Sequence, residues 1–217
     1  IYLWPFVKDA KYILLDVSEP SFHNRDEAHE RLRDEISRGG DFGLVASRDG
    51  YLLLQRGAVN APLSEDFYSF VRVERPSIQY PLVVDFGERL RFLGFDVLYN
   101  REDEVYFKLY WQALESLPTE DYFISLYLID KGGAVVGSTD RPQPATVWYP
   151  THRWRPGETV GILANTFSWW TGDREEYGVA LGVMAGNDTW AVEKRLRPHV
   201  QEAGLVTRLP ADGTLLE

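Results

Sequence analysis

The chain has 217 residues, 44% of them hydrophobic and 26% charged, which is enough to bury a sizeable core and unlike the composition of a disordered segment. Its 33 acidic against 23 basic residues give a net charge of −10, which repels phosphate backbones and anionic headgroups at long range and argues against nucleic acid as a partner. With no cysteine there is no disulfide frame, thiol nucleophile or cysteine metal site.

The opening run IYLWPFV is apolar but only seven residues long, short of the roughly 20 that span a bilayer. It reads either as a buried strand or as the interfacial end of a membrane helix, with Tyr2 and Trp4 at headgroup level. Residues 11–17, KYILLDV, predict a short buried strand. Beyond Pro20, the stretch NRDEAHERLRDEISRGG predicts a helix capped by Asn24, opened by acids and stopped at Gly39, with Ala28, Leu32 and Ile36 on one face. FGLVASRDGYLLLQRG then predicts two strands joined at Arg48, Asp49 and Gly50, where Asp-Gly supplies the positive φ of a tight hairpin. This β-α-β-β unit is thin, so its helix is expected to lean on another layer.

Residues 61–84 hold three prolines and no sustained period, which predicts a connector. From Asp85 the period becomes two. In EVYFKLYWQAL the residues Val105, Phe107, Leu109, Trp111 and Ala113 share one face. RLRFLGFDVLY, DYFISLYLID, AVVGSTD, ETVGILANTF, EYGVALGVMA and TWAVEKRL supply further strands with turn signals between them. The expected fold is α+β, with the small β-α-β-β unit (1–60) packed on an antiparallel β-sandwich (85–200) of immunoglobulin-like or jelly-roll-like type, followed by a tail (201–217).

One stretch, VWYPTHRWRPGETV at 147–160, crowds rings and cations together. Pro150 forbids a central strand, and Arg155, Pro156 and Gly157 form a turn, so the stretch is an inter-sheet crossover. Its aromatics admit two readings. Trp148 and Trp154 can fold down to seal one end of the sandwich under arginines, which is the favoured reading. Alternatively, Trp148, Tyr149, Arg153 and Trp154, with Trp169 and Trp170, form an exposed platform for a sugar ring.

The pattern FGERLRFLGFDV, VYFKLYWQALESLPTEDYFISLYLIDKGGAVVGSTD and YPTHRWRPGETV resembles a β-sandwich module at the extracytoplasmic C-terminus of bacterial polytopic membrane proteins, many of them glycosyltransferase-like. The resemblance covers roughly residues 85–197. KYILLDVSEP through DGYLLLQRG resembles the soluble stretch after the last membrane helix in the bacterial family designated domain of unknown function 2079. Together these resemblances imply a domain tethered at the outer face of a bacterial membrane, and they favour the interfacial reading of IYLWPFV. They imply the membrane part of the same polypeptide as a partner, with a glycan or lipid-linked sugar as ligand class. No catalytic or binding residues are carried over from them.

The residues themselves offer little chemistry. His23, His29, His152 and His199 show no helical metal pair and read as solvated surface histidines, so no metal site is expected. No G-x-S-x-G elbow, S-x-x-K pair or P-loop occurs, and neither a catalytic residue nor a cofactor is assigned. The acidic clusters at 102–104 and 173–176 read as solvated turns. The expectation is a non-catalytic accessory domain, with a carbohydrate-binding module as the alternative and a carboxylate-based hydrolase as the least favoured reading.

Overall fold

The computed structural model describes residues 9–18, 26–99, 105–117, 121–139, 143–164, 177–186 and 194–200. The chain forms β1 (Tyr12–Asp16), α1 (Asp26–Arg38), β2 (Phe42–Arg48), β3 (Tyr51–Arg56), a 3-10 turn (Glu65–Phe70), β4 (Tyr80–Phe86), β5 (Leu90–Tyr99), β6 (Val105–Ala113), β7 (Tyr122–Asp130), β8 (Val135–Ser138), α2 (Pro144–Trp148), a second 3-10 turn (Thr151–Arg153), β9 (Thr159–Leu163), β10 (Tyr177–Ala185) and β11 (Pro198–Val200). The strands pair into three antiparallel sheets, ordered β1-β3-β2, β10-β7-β8 and β11-β4-β5-β6-β9. The architecture is α+β, with a β-sandwich as its larger part.

The period-two pattern decides how the sandwich is filled. Phe107, Leu109, Trp111 and Ala113 of β6 are all buried, as their shared face requires. Phe92 lies 4.9 Å from Trp111 and Phe86 5.6 Å, ring centre to ring centre. From the three-stranded sheet, Ile124, Leu126, Leu128, Val179, Leu181 and Val183 enter the same core. The central strand β7 is buried on both faces, because Phe123, Ser125 and Tyr127 are covered too. Part of that cover is Arg195, whose guanidinium stands 5.4 Å above the Tyr127 ring.

Between the sheets the chain crosses repeatedly, from β6 to β7, from β8 to β9, from β9 to β10 and from β10 to β11. Of the strand expected in TWAVEKRL, the described part makes only an isolated bridge between Arg195 and Met184. The last described strand comes later, as β11 on the edge of β4, because Pro198 lacks the N–H that a central position would need. β4 itself starts at Tyr80, inside the stretch expected as a connector, and Phe67, Tyr68 and Val71 of that stretch are fully buried.

In the small sheet the hairpin turns where expected, with Asp49 at φ 48° and Gly50 at φ 77°. Leu32 on α1 is buried and Ile36 packs partly against the core, while the side chain of Ala28 and the cap Asn24 lie outside the described residues. Residues from this sheet and from both sandwich sheets belong to one continuous apolar cluster. β1 differs from its expectation of a buried strand. Only one face is covered, and Tyr12 is 50% and Leu14 66% exposed on the other.

Candidate functional site

The crossover between β8 and β9 is where the small unit and the sandwich are fastened together. Pro144 starts α2, as its fixed φ and missing N–H favour at a first helical turn, and Pro150 stops it. The next residues form the 3-10 turn Thr151–Arg153, and Glu158 N donates to Arg155 O at 3.0 Å across the following turn. So the chain before Pro150 lies outside the sheets as a single helical turn.

The structure brings Trp148, Tyr149 and Trp154 together and buries all three, at 3%, 1% and 2% exposure. Each indole N–H has a partner inside the protein. Trp148 Nε1 donates to His29 Nδ1 at 3.0 Å, and Trp154 Nε1 donates to Tyr149 O at 3.0 Å. The Trp148 ring also meets Phe67 edge-on at 5.7 Å. Arg33 on α1 adds a second tie, donating from Nη1 to Val147 O at 2.9 Å. The two tryptophans therefore seal the corner and present no ring face to solvent. Trp169 and Trp170 lie outside the described residues, as do His23 and both acidic clusters.

His29 corrects one expectation. It is buried at 3% exposure, where a solvated surface histidine was expected, because its position on α1 faces α2. Burial lowers its pKa to about 4, so at neutral pH the imidazole is uncharged and accepts from Trp148. His152 and His199 are exposed. His152 Nδ1 nevertheless sits 2.8 Å from Asp121 Oδ1, which also accepts from His152 N at 3.1 Å. Thr151 Oγ1 beside this pair is engaged on both sides, accepting from Tyr122 N at 2.8 Å and donating to Asp121 at 3.3 Å, so its hydroxyl is not poised as a nucleophile.

Above the sealed rings lies an ionic cluster that sequence spacing did not suggest. Glu65 receives Arg72 Nη1 and Arg155 Nη2 at 3.0 Å each, with Arg153 Nη2 at 4.0 Å. The hydrogen bond from Arg72 is the main cause of a Glu65 pKa below the usual carboxylate value, and the charges of Arg72, Arg155 and Arg153 push the same way. Arg72 Nε stands 2.7 Å from Glu158 Oε1, an ion pair whose N–H does not point along the line to the oxygen. Arg72 and Arg153 flank the packed rings of Tyr68 and Tyr149, with Arg153 4.5 Å from the Tyr68 centroid and Arg72 4.9 Å from that of Tyr149. Arg153 also donates to the Tyr68 hydroxyl.

The Tyr149 hydroxyl is the hinge of this network. It lies 2.7 Å from Glu158 Oε2 and 3.0 Å from Arg153 O, and it accepts from Arg72 Nη2 at 3.1 Å. Burial raises its pKa, and the hydrogen bond to Glu158 adds to the effect. Tyr149→Phe is expected to cost about 1–2 kcal/mol, because it strips partners from groups that are already partly out of water. Urea unfolding of the two proteins measures this directly.

Chemically, the corner is a fastening. Glu65 and Glu158 face arginines, and the indole N–H groups of Trp148 and Trp154 face internal acceptors. Among the described residues, no group of three or more His, Asp or Glu side chains is placed to hold a metal ion. Comparison with family models, with curated proteins and with solved structures finds no match to this chain.

Proposed function

We propose that this chain is a non-catalytic accessory domain on the extracytoplasmic face of a bacterial multi-spanning membrane protein of glycosyltransferase-like type. Its role is to position an acceptor glycan or lipid-linked sugar for reacting groups in the membrane part of the same polypeptide. The observation that supports this best is the engagement of the corner. Trp148 with His29 and Arg33 with Val147 tie the small unit to the crossover, while Trp154, Tyr149 and Arg72 hold the crossover itself. Two parts fastened in this way suit positioning. The attachment to a membrane rests on the sequence resemblance.

Glycan contact at this corner would fall to its guanidinium rim, since the indoles are covered. The side chain of Arg153 is 39% exposed and that of Arg155 65%. Acidic oligosaccharides should therefore shift the amide resonances of residues 152–158 more than neutral ones do. The reading as a whole is tested by a glycosyl-transfer assay on the 217-residue chain alone. No turnover is expected, and reproducible turnover that is lost on mutation of Asp121 or His152 would refute it.

A further inference from the structure

The small sheet breaks the rule that an antiparallel sheet with one face on a core carries polar residues on the other. Register places Leu14 directly opposite Leu53 and Asp16 opposite Tyr51, with Tyr12 opposite Gln55. These residues point away from the core, whereas Leu15, Leu52 and Leu54 point into it. At the β2 margin the segment after β3 crosses the same outer face. A Cβ on Gly43, which is opposite Gln55, would stand 2.0 Å from Ala58 O, so Ala58 and Val59 lie directly over it. Val59 on this strap is 91% exposed.

Eight large hydrophobic side chains are exposed among the described residues, and four of them, Tyr12, Leu14, Tyr51 and Val59, gather here with Leu53 between them. Such clustering marks a contact surface, because scattered single exposures would need no explanation. The rim shows what kind. Arg48 is paired to Asp49 and Arg56 to Asp41, and the exposed Asp9 and Asp16 lie before and after Lys11 on the β1 side, so basic and acidic groups alternate around the rim and no one sign dominates it.

From this we infer that the outer face of the β1-β3-β2 sheet lies on the bilayer surface, with Leu14 and Val59 in the acyl boundary and Tyr12 and Tyr51 at headgroup level. Tyrosines beside long basic side chains are suited to that depth, where the ring is apolar and the tip stays wet. Lys11 already arches over the Tyr12 ring at 5.5 Å. The net charge of −10 opposes a second copy and an anionic leaflet alike, so the surface this face fits is one of zwitterionic headgroups.

This inference rests on the membrane attachment proposed above, and its test separates the two. The 217-residue chain is floated with vesicles of phosphatidylcholine alone. Co-flotation is expected, and Leu14→Asp with Val59→Asp should lower the partition about tenfold or more while leaving the thermal midpoint unchanged, since both side chains are exposed. Val135→Asp with Val136→Asp, at exposed positions on β8 away from this face, should leave the partition as it was. Binding that Leu14→Asp with Val59→Asp does not weaken overturns the assignment of the face and leaves membrane attachment standing. Absence of binding by the unaltered chain overturns the inference without touching the non-catalytic role. A concentration-dependent dimer in sedimentation, abolished by the same pair of changes, overturns it in favour of self-association.

Discussion

Trp111→Ala is expected to lower the stability of the domain by about 3–5 kcal/mol, the range for removing a large aromatic from a packed core. Trp111 is fully buried in the second half of β6, which pairs with β5 on one side and β9 on the other. The backbone there is held by two neighbours and has little freedom to collapse into the space left behind. Phe86 and Phe92 would lose their ring partner, and Val160 of β9 sits directly across the ladder. For a chain of this length the melting temperature should fall by roughly 10 °C. Trp111→Phe behaves differently. The indole N–H has no hydrogen-bond partner among the described residues, so phenylalanine removes an unsatisfied buried donor along with some volume, and the cost should stay near 1 kcal/mol or below. Denaturant unfolding of the three proteins decides the matter, and equal losses for the two variants would mean that the N–H is in fact engaged.

Strands and turns were legible wherever one physical rule governed them. In β6 the alternation holds for Phe107, Leu109, Trp111 and Ala113 against Lys108 and Gln112, while Tyr110 on the other face is buried as well with its hydroxyl on Asp96, and the Asp49–Gly50 hairpin follows from the need for positive φ at both positions. Alternation reports which residues are apolar and not how many layers cover them. KYILLDV carries apolar residues on both faces, which predicts a buried strand, and the structure covers one face. For β7 the reverse holds, since one buried face was expected and the structure closes both.

Much of the corner could not be read in advance, because its partners are distant in sequence. Trp148 meets His29 across 119 positions, and Arg155 meets Glu65 across 90. A histidine on a charged helix carries no local sign that it will be buried, and Glu65 and Arg72 lie in a stretch without a period. Pro150 did signal that the chain leaves the sheet, and the choice between sealed and exposed rings went with the physics of a corner that must exclude water. Both Trp148 and Trp154 are inside, and the arginines lie over the adjoining tyrosines instead of over the indoles.

Acidification should loosen the joint between α1 and the sandwich before it affects the carboxylate network. His29 has an ordinary pKa of 6.5 in the unfolded chain and about 4 when folded, because burial disfavours its charged form. Between those values the unfolded chain binds the extra proton and the folded chain does not, so stability is complete above about pH 6.5 and declines as the pH falls towards 4. The limiting loss is of the order of 3 kcal/mol. Geometry makes the penalty specific to this joint. Protonation of Nδ1 takes away the acceptor for Trp148 Nε1, and Nε2 is already buried without a partner among the described residues. The new charge would sit one turn from Arg33, whose guanidinium holds the C-terminal end of α2 at Val147 O. Glu65 acts in a separate window, since its pKa is lowered from 4.5 and its contribution is lost only at more acid pH. Urea midpoints measured at pH 7.5, 6.5, 5.5 and 4.5 should fall steadily for the unaltered chain, and His29→Leu, which cannot be protonated, should flatten that decline even if it starts lower. Parallel declines in the two proteins would show that the acid sensitivity lies elsewhere.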